Sequence, residues 1–272
     1  MAGEPEHAQK AFHDLDKALK GLPKNPAPAQ VHKLRTSARR VEAIAGALPM
    51  DHKKRSSRLL KSLAPVRKAA GGVRDMDVLT ANIRKLKQDG TGDSLARLAE
   101  HLHSAREEGA SHLRRALNRQ SKSARRMLKR YSHKVRSVLS VESNGNGHHA
   151  TAVLPAAKHL ARELASWPTL SGENIHNFRL KVKELRYVLQ LDEKADEEFL
   201  GALGIVKQRI GDWHDWQELA EIAHEFLEPT RDYALLNRID EITRENLSRA
   251  LRAANTLRRQ HMRAPITHVL GC

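Results

Sequence analysis

The chain has 272 residues and a net charge of +16, with 48 lysines and arginines against 32 acidic residues. Hydrophobic residues make up 40% of the chain, enough for a core, but aromatic residues make up only 4%, so that core must rest on Leu, Ala, Val and Ile. No apolar run reaches the roughly 18 residues of a membrane span, and the polar N-terminus does not resemble a signal peptide. The single cysteine, Cys272, excludes a disulfide scaffold and a cysteine-ligated zinc site. We therefore expect a cytoplasmic protein.

Long stretches without proline, rich in Ala, Leu, Lys, Arg and Glu, predict helices throughout the chain. No run of alternating β-branched residues predicts a strand, so the expected fold class is all-α. The stretch at 93–139 is long enough for two helices with a break near Gly109. Helices are expected near residues 6–20, 29–48, 51–70, 73–88, 93–139, 151–166, 173–191, 195–210, 213–227 and 231–262.

The helix expected at 29–48 contains the sequence VHKLRTSARRV, in which cations follow a histidine at helical intervals. At about 100° per residue, His32, Arg35 and Arg39 form one stripe beside the apolar stripe of the helix, and Arg40 falls on another side. Most charge runs on helices are solvated flanks. Imidazole and guanidinium groups nevertheless suit phosphate oxygens, so the stripe could also bind an anion.

The next element is GGVRDMDV, residues 71–78. Gly71 and Gly72 are expected to end one helix, and Asp75 to start or cap the next one. The alternative is that Asp75 orients a neighbouring Arg or His through a charged hydrogen bond.

A third basic zone occupies residues 111–136, which contain ten lysines and arginines and no acidic residue. Its apolar residues form a stripe at helical spacing, so the zone is expected to be a helix. This helix could line an anion site or simply face solvent.

A polar segment, VESNGNGHHATA, then predicts a flexible boundary between two halves. Residues 1–140 hold 31 lysines and arginines against 13 acidic residues, a net charge of +18, whereas residues 141–272 hold 17 against 19, a net charge of −2. Such self-repulsion in one half costs stability unless the protein meets an anionic partner, which could be nucleic acid, an anionic membrane or a phosphate polymer.

The second half repeats both elements in the same order. IHNFRLKVKELRYV aligns with the first histidine helix at an offset of 144 residues, and GDWHDWQE aligns with GGVRDMDV at an offset of 140. The agreement predicts an internal duplication. Trp213 and Trp216 in the second element are expected to anchor the packing, and Asp215, like Asp75, to cap a helix. The second cationic stripe consists of His176, Arg179, Lys183 and Arg186.

Two other functions are weighed against anion binding. A metal-dependent phosphohydrolase could use His176, the pair His214 and Asp215, and Asp240 as ligands, although the first copy has Arg74 where the second has His214. A non-specific nucleic-acid-binding protein would fit the isoelectric point near 10.2, although the basic faces carry few aromatic residues for base stacking.

The sequences VHKLRTSARRV, GGVRDMDVL, IHNFRLKVKELRYVLQL and IGDWHDW resemble, in this order, the conserved elements of the CHAD family, the conserved histidine α-helical domain. The resemblance implies two antiparallel four-helix bundles related by a pseudo-twofold axis, at residues 1–140 and 151–272, with a linker at 141–150. It implies binding of inorganic polyphosphate along a basic central surface, association with polyphosphate granules, no cofactor and no catalytic activity. The binding positions that it implies are His32, Arg35, Arg39, Arg40, Arg74, His176, Arg179, Lys183 and Arg186.

The chain departs from the family pattern at three positions. Glu42 stands where the family often has a third cation, while the second copy keeps Arg186. His214 stands opposite Arg74 in the alignment of the two copies, and Gln217 stands opposite Asp77.

We also expect the two histidine helices to line one shared surface, because a linear anion gains avidity only if it touches both.

Overall fold

The computed structural model describes residues 4–47, 53–86, 91–142, 148–190 and 195–262. Within these ranges the chain forms eight helices and no strand, which confirms the predicted all-α class. The helices are α1 (Glu4–Gly21), α2 (Pro28–Ala47), α3 (Lys53–Ile83), α4 (Gly92–Glu142), α5 (His148–Ala165), α6 (Ile175–Leu189), α7 (Glu197–Phe226) and α8 (Tyr233–His261).

The chain divides into two compact units. The first comprises Met1–Lys87 with Ala99–Asn146, and the second comprises Gln88–Leu98 with Gly147–Cys272. The first two turns of α4 therefore belong to the second unit, and the rest of this long helix belongs to the first. Within the described residues, no helix is long and apolar enough to cross a membrane.

In the first unit, α2 packs against α1 and α3. Its apolar residues recur every three or four positions, so they form one continuous stripe, and Val31, Leu34 and Val41 on this stripe are almost fully buried. The core also receives side chains from α1, α3 and α4, including an edge-to-face pair of Phe12 and Tyr131 whose ring centroids are 5.9 Å apart.

In the second unit, α6 packs against α5 and α7. Its apolar residues form one stripe whose five members are all buried, and Phe178 makes an edge-to-face contact with Trp167 at 5.6 Å between ring centroids. Trp213 and Trp216 are buried in α7, as expected of packing anchors. The buried stripe of α6 consists of Ile175, Phe178, Val182, Leu185 and Leu189.

The predicted helix break at Gly71 and Gly72 is wrong, because α3 continues through both glycines to Ile83. A glycine inside a helix costs only about 0.5–1 kcal/mol relative to alanine. Ala70 and Val73 are fully buried on either side of the pair, and burying one valine side chain contributes about 1.5–3 kcal/mol. Packing therefore outweighs the preference of the two glycines.

The expected separation of 195–210 from 213–227 is also wrong, because α7 is a single helix through Gly211. Likewise, α4 has no break at Gly109. A methyl group built on Gly109 would lie 3.3 Å from Cγ2 of Val73. This glycine lets α4 approach α3 closely, so its role is in packing and not in ending a helix.

The predicted linker at 141–150 is shorter than expected at both ends. Residues 141–142 are the last of α4, and residues 148–150 are the first of α5. Residues 143–147, the rest of the predicted linker, lie outside the described residues.

Candidate anion-binding sites

The site in the second unit lies where α6 packs against α7. His176 near the start of α6 contacts His214 late in α7, whereas Arg186 near the end of α6 lies against Gly204 early in α7. The two helices are therefore antiparallel. Four residues of α7 lie against the cationic stripe of α6, and their spacing of three or four places them on one face of the helix. They are Gly204, Lys207, Gly211 and His214.

His176 and His214 form a tilted ring pair with 5.0 Å between centroids. Partial burial, followed by the positive charges of His214, Arg179 and Lys183, lowers the pKa of His176. The imidazole is therefore easier to keep neutral in the empty site than in water. An anion placed beside it would reverse this preference, because negative charge favours the protonated ring.

Arg179 is held against the backbone of α7. Its Nε donates a hydrogen bond to the carbonyl oxygen of Lys207 at 3.2 Å. A methyl group built on Gly211 would lie only 2.8 Å from Nη2 of Arg179, so the guanidinium occupies the space that any larger residue would need. The glycine of the second repeated element therefore has a steric role, which Gly71 does not share, since a methyl group there would meet nothing within 4 Å.

Lys207 and Arg186 add two more cations to this site. Partial burial lowers the pKa of Lys207, and the charges of Arg186 and Arg179 lower it further. Nε of Arg186 is buried and has no hydrogen-bond partner in the described part of the chain. None of the ion pairs formed by the described residues includes either cation, so their positive charge is not balanced locally by a carboxylate.

The first unit has a related site where α2 packs against α3. Partial burial, followed by the charges of Arg74 and Arg35, lowers the pKa of His32. Acidic side chains balance part of this cluster. Nη1 of Arg35 donates to Oδ1 of Asp75 at 2.8 Å, and Glu42 pairs with Nε of Arg67 at 2.6 Å.

The capping interpretation of the two aspartates is wrong. Asp75 lies inside α3 and orients Arg35, which is the alternative that the sequence left open. Asp215 lies inside α7 and therefore caps no helix. Asp77 is buried and accepts a hydrogen bond from Nε of Arg106 at 2.6 Å, so it fixes α3 to α4.

The structure brings most of the predicted binding residues together, as one group in each unit. His32, Arg35 and Arg74 meet in the first unit, and Arg39 lies half-buried on the same stripe of α2. Arg40 is exposed, and no hydrogen bond or ion pair among the described residues involves it. In the second unit, the group consists of His176, Arg179, Lys183 and Arg186.

The basic zone at 111–136 lies in α4, with its apolar stripe buried and most of its cations exposed. Arg125 is an exception, because it pairs with Asp16 through two hydrogen bonds of 2.8 and 3.1 Å. The exposed cations form a basic outer face of α4, composed of Arg114, Arg115, Arg119, Lys122, Arg126, Lys129, Arg130 and Arg136.

Of the metal ligands considered from the sequence, His176 and His214 lie together, but Asp240 does not join them. Asp240 instead contacts Nε2 of His224, with both carboxylate oxygens at 3.0 Å. Across the described ranges, no group of three or more His, Cys, Asp or Glu residues is arranged to hold a metal ion.

Two residues of the second site were missed as binding candidates in the sequence. His214 was considered only as a metal ligand and as a departure from Arg74, and Lys207 was not considered at all. The offset of 140 residues contained the necessary signal, because it aligns Lys207 with Arg67. Only the register of the helices reveals that both positions face the cationic stripe.

Comparison with known families gives one match. The model described as CHAD domain matches residues 6–224, which is most of the chain. No curated protein matches the chain, and no solved structure does.

Proposed function

This chain belongs to the CHAD domain family, and we propose that it binds inorganic polyphosphate without hydrolysing it. The observation that carries the proposal is the crowding of Arg179, Arg186 and Lys207 in one part-buried site. Arg179 donates a hydrogen bond to the carbonyl oxygen of Lys207, and the pKa of the lysine is lowered first by burial and then by the charges of the two guanidinium groups. Like charges so arranged repel one another. A bound polyanion relieves this repulsion, because it places negative charge beside the cations.

The chemistry of both sites suits phosphate in particular. A guanidinium presents a planar fork that matches two phosphate oxygens, an ammonium presents three donors, and a protonated imidazole donates from both nitrogens. Each unit contains such a cluster, so a long phosphate polymer can make many weak contacts. A polymer that engages more than one site gains avidity without any single deep pocket.

We further infer that the two halves are copies of one four-helix ancestor. The histidine helix is the second helix of each half, and the glycine–aspartate element lies in the third. In the first unit the charge of Arg74 lowers the pKa of His32, after partial burial, and the aligned pair in the second unit is His176 and His214, whose ring centroids are 5.0 Å apart. The pseudo-twofold arrangement remains a prediction from the resemblance.

The proposal assigns no bond cleavage to either site. The cations and imidazoles of the two sites stabilise bound phosphate oxygens. We expect the protein to associate with polyphosphate granules in the cytoplasm. A fluorescent fusion that stays dispersed in cells rich in such granules would contradict the granule assignment.

Titration with polyphosphates of defined length, at several salt concentrations, tests the binding. We expect affinity to rise with chain length and to fall linearly on a log–log plot against salt, because binding a polyanion releases its counterions. A wild-type protein that binds no chain length at low salt would overturn the proposal.

Release of orthophosphate tests the non-catalytic part. Polyphosphate incubated with purified protein should keep its length. Orthophosphate that appears in proportion to the protein, and is lost when one site residue is changed, would contradict it.

Non-specific nucleic-acid binding is a second candidate, and the basic outer face of α4 favours it. Its eight exposed cations would meet any phosphate backbone. Competition separates the two ligands: if polyphosphate is the ligand, single-stranded nucleic acid of equal charge should displace it only at much higher concentration.

A further inference from the structure

We propose that Arg186 and Lys207 form a phosphate subsite in the second unit, and that the first unit fills the equivalent position with its own Glu42 carboxylate. The proposal rests on polyphosphate binding and specifies where one phosphate group sits. It also makes the two units unequal, although their sequences repeat.

The equivalence of the two positions follows from the alignment and from the contacts. Glu42 aligns with Arg186 at the offset of the histidine helices, and Arg67 aligns with Lys207 at the offset of the glycine–aspartate elements. In the first unit these residues form an ion pair of 2.6 Å between α2 and α3. In the second unit their counterparts face each other between α6 and α7.

The two units differ in the sign of one charge at this position. A carboxylate opposes a guanidinium in the first unit, so that pair is attractive. A guanidinium opposes an ammonium in the second unit, so that pair repels, and Nε of Arg186 is left buried without a hydrogen-bond acceptor. Nε of Arg67 is likewise buried without a hydrogen-bond acceptor, but it lies 2.6 Å from the Glu42 carboxylate, whereas no ion pair of the described residues includes Arg186. The missing carboxylate beside Arg186 and Lys207 therefore points to an anion from outside the chain.

A third cation converges on the same position. The hydrogen bond from Arg179 to the carbonyl oxygen of Lys207 holds its guanidinium over the turn of α7 that carries the lysine. A phosphate group has enough oxygens to accept from two guanidinium groups and one ammonium, whereas a single carboxylate has only two. The site therefore favours phosphate over a carboxylate ligand.

The subsite explains why an open anion position occurs in the less basic half of the chain. In the half with net charge −2, Arg186 and Lys207 form no ion pair among the described residues. In the half with net charge +18, the Glu42 carboxylate neutralises the charge of Arg67 at the equivalent position. Local pairing, and not net charge, decides where a phosphate group is held.

The variant Lys207→Glu tests the subsite, with Arg209→Glu as its matched control. Both substitutions change the charge of α7 by the same amount, but Arg209 is exposed on another face of the helix and joins no ion pair among the described residues. Lys207→Glu should weaken binding of a long polyphosphate by at least about tenfold, as expected when a charged contact is lost. Arg209→Glu should weaken it by less than about twofold, as a screened surface charge does.

Thermal unfolding of the same variants without ligand gives a second readout. Lys207→Glu should raise Tm, because an attraction to Arg186 replaces a repulsion, whereas Arg209→Glu should leave Tm nearly unchanged. Lys207→Met keeps an apolar stem of similar length and should also weaken binding. This variant keeps the subsite testable if Lys207→Glu fails to fold.

The reverse change in the first unit completes the test. Glu42→Gln leaves Arg67 without its carboxylate, so the variant should bind polyphosphate more tightly and unfold at a lower temperature. If the wild type binds polyphosphate but Lys207→Glu and Arg209→Glu weaken binding equally, the subsite is wrong and the proposed function stands. If the wild type does not bind polyphosphate at all, both fail.

Discussion

At position 211 a glycine leaves the space that the guanidinium of Arg179 occupies. In Gly211→Ala the new methyl group would lie 2.8 Å from Nη2 of Arg179, so the flexible side chain must move away from α7. We expect weaker polyphosphate binding, by about three- to tenfold as one charged contact is lost, while alanine's helix preference keeps the fold at least as stable. Titration and thermal unfolding measure the two effects.

Gly201 in the same helix provides the control, because a methyl group there meets nothing within 4 Å. Gly201→Ala should stabilise the protein by about 0.5–1 kcal/mol and leave binding unchanged. Equal binding by the two alanine variants would mean that the position of Arg179 does not matter.

The histidine pair predicts opposite effects of pH on binding and on the stability of the empty protein. The folded pKa of His176 is lowered, whereas the unfolded chain titrates near about 6.5. Below that value the unfolded state takes up protons more readily, so the empty protein should lose stability as pH falls from about 6.5 toward the lowered pKa. Bound phosphate favours the protonated ring, so binding should strengthen over the same range.

Thermal unfolding between about pH 8 and pH 5.5, with and without polyphosphate, measures both trends. The substitution His176→Gln keeps a polar side chain but cannot titrate, so it should flatten them. A binding profile that stays as steep in this variant would assign the pH dependence to other histidines.

At the scale of helices, one buried carboxylate joins the loop before α8 to α4. Asp232 accepts hydrogen bonds from Ser94 at 2.5 Å, from Arg97 at 2.6 Å and from the backbone N–H of Glu228 at 2.9 Å. Chiefly the bond from Ser94, together with those from Arg97 and Glu228, lowers the pKa of Asp232. Asp232→Ala should therefore destabilise the fold by about 2–4 kcal/mol, because buried donors lose their acceptor.

Denaturant unfolding measures this loss, and Asp196→Ala is the comparison. Asp196 caps α7 from an exposed position, and losing such a cap costs about 1 kcal/mol. Because the folded pKa of Asp232 is depressed, its contribution should be fully present above the unfolded value near about 3.9 and disappear as pH falls through the folded value. A loss no larger than that of Asp196→Ala would contradict the role assigned to Asp232.

The sequence predicted the helices well and their ends poorly. The apolar stripe of α6 and the cationic stripe beside it follow directly from residue spacing. The continuity of α3 through Gly71 and Gly72 does not, because it depends on Ala70 and Val73 being buried by other helices. Similarly, no local pattern reveals that Gly211 accommodates Arg179 or that Lys207 faces Arg186, since both facts require the register of α6 on α7.

At the scale of the whole molecule, the repeated sequences do not make the two sites equivalent. Arg35 is held by Asp75 in the first unit, whereas Arg179 is held by a backbone carbonyl in the second. An anion that binds Arg35 must compete with a carboxylate. An anion that binds Arg179 also lies near Arg186 and Lys207, which join no ion pair among the described residues, so we expect the second unit to contribute more to affinity.

Single and double substitutions test this ranking. Arg179→Ala should weaken polyphosphate binding more than Arg35→Ala does, and it should leave the empty protein as stable or more stable, because repulsion with Lys207 is relieved. Arg35→Ala should cost up to about 1 kcal/mol of stability, as expected for a partly exposed ion pair.

The double variant should bind short and long polyphosphates most weakly. Its affinity should depend more steeply on chain length, because each remaining contact is weaker and more of them are needed. If the double variant binds every length as the wild type does, the basic outer face of α4 becomes the binding surface, and charge reversals at Arg119 and Arg126 should then abolish binding.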